Sequence, residues 1–171
     1  KAAGDCRFYI YIYSGLLYDI QKIKEKFYEK KSGKAIADVI SLADEIIDEN
    51  NVVCAFDFHS PYHFGGRNDF PFIVENDKTK IDKYNKFGLI LEELTKKDAF
   101  KFEHKNSIEP DVGWNLSSNT SFSRYVNLKP YCDIAFSLET PYFGTSKNKV
   151  TNENLVYFGK KFAKALKEYL K

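Results

Sequence analysis

Two stretches decide the fold: VVCAFDF, Val52 to Phe58, and CDIAFSL, Cys132 to Leu138. Each is a near-continuous apolar run of strand length, the pattern of a β-strand covered on both faces. Each also leads directly to an ionisable residue, His59 after the first and Glu139 after the second. Around them the apolar residues recur at helical spacing. Leu16 to Lys30 carries Leu16, Ile20, Ile23 and Phe27, and Ala35 to Glu49 carries Ile36, Val39, Ile40, Ala43, Ile46 and Ile47. Asp77 to Lys97 carries Ile81, Tyr84, Phe87, Leu91 and Leu94, and Thr151 to Lys171 carries Leu155, Phe158, Phe162, Ala165, Leu166 and Tyr169. Thr151 or Asn152 can cap that last helix. Phe8 to Tyr13 and Phe70 to Val74 read as shorter strands, Thr120 to Leu128 as a short helix. His59 to Asp69, with Pro61, Gly65 and Gly66, is a loop, and so is most of Lys101 to Asn119. This order predicts a single α/β domain over residues 1–171, a mixed and mostly buried sheet flanked by helices. Ligands in such sheets sit beyond the carboxyl ends of the strands, where His59 and Glu139 fall.

Composition agrees with a folded domain. The 171 residues are 43% hydrophobic, 16% aromatic and 29% charged, which excludes a disordered chain. No apolar run reaches the ~18 residues of a membrane span. Net charge is +2, with lysines interleaved among acids and only Arg7, Arg67 and Arg124 as arginines. Nothing resembles a phosphate-binding stripe, so nucleic acid is not an expected partner. The chain begins at Lys1 and contains no methionine, so a processed or truncated product is expected, and no targeting signal is legible. Cys6, Cys54 and Cys132 are too few and too dispersed for a disulfide framework. Cys54 and Cys132 lie in apolar runs and are expected to be buried free thiols.

Strand alternation puts Asp57 on the same face as His59. A histidine that binds metal through one nitrogen needs an acceptor on the other, and Asp57 is a candidate, though two residues along a strand is a long reach. A histidine simply packed at a strand end fits the same pattern. His63 follows four residues later, but Pro61 intervenes and makes it a loop residue. His104 lies in a lysine-rich stretch and is expected to be solvated. Glu139 ends an apolar strand, where desolvation raises the pKa and suits a carboxylate to general-base work. An acid paired with a lysine would look the same. There is no GxSxG elbow, no GxGxxG and no P-loop, and no pair of acids stands out for glycoside hydrolysis.

Taken together, FDFHSPYHFGGRNDFPFIVE, GWNLSSNTSFSRYV, IAFSLETPYFG and the closing amphipathic helix resemble the C-terminal half of the zinc carboxypeptidase (funnelin) family, over about residues 35–171. The likeness is to bacterial zinc-carboxypeptidase-like members. It implies part or all of a zinc-carboxypeptidase-like (phosphorylase/hydrolase-like) fold and zinc-dependent hydrolysis of a peptide or small amide bond. It casts His59 as the third zinc ligand and Glu139 as general base and acid. Arg67, Arg124 and Asn115 become candidates for holding substrate, and Arg67 and Arg124 suit a two-pronged grip on a carboxylate. Tyr125 and Tyr142 compete for the family's mobile tyrosine, while Trp114 reads as a packing residue. The HxxE pair that supplies the other two zinc ligands is absent from this chain, as is the Asn-Arg pair that follows it. The chain alone is therefore expected to be poorly active or inactive, truncated rather than degenerate. A secreted or periplasmic location is the family's implication. The competing reading is a non-catalytic peptide- or sugar-binding protein on the same fold.

Overall fold

A computed structural model describes residues 11–12, 53–61, 69–118 and 121–171. The helices expected at 16–30 and 35–49, and the residues Cys6, His63 and Arg67, lie outside the described residues. The rest is a mixed α/β arrangement of small sheets and three α-helices. β1 (Tyr11–Ile12), β2 (Cys54–His59), β3 (Phe72–Val74) and β4 (Ile134–Glu139) form one sheet in the order β1-β2-β4-β3. β1, β2 and β4 are parallel, and β3 runs antiparallel along β4.

Both central strands begin and end later than their apolar runs suggest. The Val53 carbonyl accepts from the amides of Asp133 at 2.7 Å and Ile134 at 3.3 Å, which sets where pairing starts. Cys54 then lies opposite Ile134, and the register ends with His59 opposite Glu139. The ladder thus carries both ionisable residues inside the strands, not in the loops beyond them.

Alternation gives the sheet two unlike faces. Phe56, Ile134, Phe136 and Leu138, with Ile73 of β3, join the main hydrophobic core. Two helices cover that face, α1 (Ile81–Thr95) and α3 (Asn152–Tyr169), through Tyr84, Phe87, Leu91, Phe158, Phe162 and Tyr169. Phe162 meets Phe56 edge-on at 5.0 Å and Phe87 at 5.2 Å, the tilted geometry aromatic quadrupoles favour. The opposite face starts with Ala55 and Ala135, small enough for α2 (Phe122–Asn127) to pack closely through Val126. Beyond α2 the same face turns polar: Asp57 and His59 on β2, Ser137 and Glu139 on β4.

α2 and α3 are each started by a side chain that accepts an otherwise orphaned amide, whereas α1 has no side-chain cap of its own. Thr151 Oγ1 accepts from Asn154 at 3.1 Å and Ser121 Oγ from Arg124 at 3.2 Å. Asp77 Oδ1 takes Thr79 at 2.8 Å, so the segment before α1 opens as a 3₁₀ turn, Lys78–Lys80. α1 stops at Thr95, whose hydroxyl donates to the Leu91 carbonyl at 2.9 Å and accepts from the Phe102 amide at 3.0 Å. A hairpin of β5 (Gly144–Thr145) and β6 (Asn148–Lys149) leads into α3. Cys132 is buried and Cys54 half-buried, both as free thiols. Burial pushes the Cys54 thiol up to about 12 and that of Cys132 to about 11, which keeps both inert. Among the described residues no helix is long and apolar enough to cross a membrane.

Candidate functional site

The polar end of the second sheet face is the floor of a cavity of about 550 Å³. Its walls come from three places: the strand ends, the start of α2 and the loop before it. His59, Ser137 and Glu139 line the floor, with Val74 and Asn76 from β3 and its continuation. Because His59 and Glu139 are register partners on parallel neighbours, their side chains leave the sheet side by side. Asp57 makes the contact its sequence position made a long reach: its Oδ1 lies 2.8 Å from His59 Nε2. The hydrogen bond to Asp57 holds the imidazole pKa above its ordinary value, with burial opposing and the Asp57 and Glu139 charges adding.

Glu139 is 9% exposed, and its Oε2 is buried with no hydrogen-bond partner. Burial raises its pKa and the nearby Asp57 charge adds to this, against the pull of His59. A carboxylate without its own hydrogen bonds is a stronger proton acceptor than one already satisfied. Such an oxygen is costly to maintain and is the kind of group a reacting proton can use.

Arg124 lies on α2 and reaches the same cavity. Its Nη1 donates to the Asn76 carbonyl at 3.0 Å and its Nη2 to Asn115 Oδ1 at 2.9 Å. Asn115 in turn is buried and donates through Nδ2 to the carbonyls of Glu75 at 2.7 Å and Glu109 at 3.0 Å. The guanidinium is thus braced by two acceptors, with further N–H groups left over from its set of five. Asn115, a candidate for holding substrate, is instead engaged as the clamp that joins the loop to the segment after β3 and aims Arg124.

The loop that carries Asn115 is itself strapped. Asp111 adopts φ 63° and Gly113 φ 60°. The Asp111 amide donates to the Asn115 carbonyl at 2.7 Å, and Asp111 Oδ1 accepts from the Ser117 amide at 2.7 Å. Lys78 pairs with Asp111 Oδ2 at 3.0 Å. These bonds hold the Asp111 carboxyl well below the usual carboxylate range. The turn presents Trp114 at the cavity, 55% exposed, where the sequence suggested a packing residue. The Asp-Val-Gly sequence before it signals a turn, but not the direction of the side chain that follows.

Other expectations change. His104 is not solvated: it is half-buried, its Nε2 lies 2.7 Å from Asn85 Oδ1 and its Nδ1 is buried without a partner. Tyr125 packs against the small core under α2, and neither it nor Tyr142 lines the cavity. Asn76, Ser121 and Ser137 were not anticipated at the site at all. Among the described residues no group of three or more His, Cys, Asp or Glu side chains could hold a metal ion. The described residues therefore do not by themselves fit a zinc centre, which needs three or four ligands. Comparisons with models of known families, with curated proteins and with solved structures find no match. What the fold and site define is an α/β domain with an imidazole, a carboxylate and a guanidinium around one cavity.

Proposed function

We propose that this chain carries the substrate-processing part of a zinc-carboxypeptidase-like hydrolase acting on peptide or related amide bonds. The observation that carries the reading is the register pairing of His59 with Glu139, which sets an Asp-supported imidazole beside an unsatisfied buried carboxylate in one cavity. The motif resemblance assigns those two positions to metal binding and to proton transfer. A single imidazole does not make a zinc site, so the remaining ligands would have to come from elsewhere in the protein.

The chemistry assigned to the chain's own residues is limited and concrete. Glu139 takes a proton from water as its oxygen bonds to the amide carbon. When the C–N bond breaks, the same carboxyl returns that proton to the departing amine. Asp57 fixes the orientation of the His59 ring. Arg124 holds the carboxylate of the substrate through N–H groups not used on Asn76 and Asn115.

The test measures zinc content and peptide hydrolysis on this chain and on any longer product of its gene, with free and amidated C-termini. Glu139→Gln should keep peptide binding and lower turnover by about 10²- to 10⁴-fold. Equal turnover by the Gln variant, or loss of binding with it, removes Glu139 from the chemistry. Tight one-to-one zinc binding by this chain alone would overturn the missing-ligand argument. A non-catalytic binding protein would show ligand binding that is indifferent to both zinc and Glu139→Gln.

A further inference from the structure

We propose that the cavity recognises a sugar ring bearing a carboxylate, with Trp114 as the platform under the ring and Arg124 as the anchor of the acid; this rests on the cavity being the substrate site. The lining decides between ring chemistries. Among the described residues Trp114 and Val74 are its only apolar members; the others offer amides, hydroxyls or charges, among them Asn115, Ser118, Ser121 and Ser137. An aromatic amino-acid side chain needs an apolar slot on both faces, and one indole with one valine does not form it. A pyranose presents one C–H face and a rim of hydroxyls. The C–H face gains dispersion and burial against indole, and the rim needs hydrogen-bonding partners such as these.

Three further observations fit this ligand. The backbone of the turn carrying Trp114 is held by the Asp111–Ser117 strap, so little backbone order is lost when a ring settles on it. Among the described residues Arg124 is the only lysine or arginine lining the cavity, which makes it the cation an acid would meet there. The charge is braced by Asn76 and Asn115, which presets its direction.

Trp114 is the chain's single tryptophan, so its fluorescence reports the site directly. The full chain in chelator is titrated with glucuronate, glucose and N-acetylphenylalanine, followed by tryptophan emission and saturation-transfer NMR of the ligand. Glucuronate should shift the emission and bind about tenfold or more tightly than glucose. Trp114→Ala, on an exposed turn, should remove the saturation transfer to the ring protons. Arg124→Lys should shrink the preference for the acid. Equal binding of glucose and glucuronate removes Arg124 as anchor. Tighter binding of N-acetylphenylalanine, or no binding of either sugar by NMR, overturns the proposal. Because chelator is present, failure here leaves the hydrolase reading standing, and sugar binding without hydrolysis removes that reading alone.

Discussion

Glu75 shows how one side chain can set the stability of the cavity's frame. It is 2% exposed, and its Oε2 is buried without a hydrogen-bond partner. Burial, with the Glu109 charge nearby, pushes its pKa up to about 7 from an ordinary 4.5. The folded chain therefore keeps this proton over a pH range in which the unfolded chain has released it. Stability contributed by that proton is present at low pH, falls as pH rises above about 4.5 and is gone above about 7. The total swing is at most about 3 kcal/mol. Glu75→Gln should flatten this part of the stability–pH profile, measured by urea denaturation between pH 4 and pH 8. An unchanged slope would mean Glu75 ionises normally. The consequence reaches the site, because the Glu75 and Asn76 carbonyls receive Asn115 and Arg124.

At the scale of elements, the hairpin before α3 depends on one glycine. Gly144 sits at φ 67°, and a Cβ there would lie 2.0 Å from the Asn148 carbonyl oxygen. Asn148 is fully buried and ties the hairpin to the body: Oδ1 accepts from Lys101 at 2.8 Å and Nδ2 donates to Asp69 at 3.1 Å. Gly144→Ala should cost about 1–3 kcal/mol in chemical denaturation, combining left-handed strain with displacement of Asn148. A wild-type midpoint would mean the hairpin yields freely. Elements of this kind were only partly legible. Long helices such as α3 declare themselves by period and a capping Thr151, whereas a two-residue hairpin strand leaves no periodic trace. The strands were legible as apolar runs, yet their true ends were set by the Val53 carbonyl and by pairing between chain segments some 80 positions apart. His59 and Glu139 stood out because each ended such a run. Asn115 and Trp114 did not, because their roles depend on a strapped loop whose bonds have no sequence period.

For the whole molecule, the sheet divides stability from chemistry between its faces. One face is aromatic and aliphatic and is sealed by α1 and α3. The other runs from Ala55 and Ala135 to a buried acid, an imidazole and a second acid, which no maximally stable sheet would carry. Substitutions on the two faces should therefore move stability in opposite directions. Phe162→Ala removes a ring that touches Phe56, Phe58, Phe87 and Phe136, and should cost about 3–5 kcal/mol. Its effect on Trp114 emission in the folded state should be negligible, because the core face is separated from the cavity by the sheet. Glu139→Gln removes a carboxylate whose burial raises its pKa and whose Oε2 has no partner, while keeping the side chain's shape. It should raise stability by about 1 kcal/mol at neutral pH, since the variant no longer buries a charge. Thermal unfolding of both variants, scanned beside the parent at pH 7, checks the pair. A lower midpoint for Glu139→Gln would mean that attraction to the His59 imidazolium outweighs the desolvation of the acid, and that the polar face is held together by its charges.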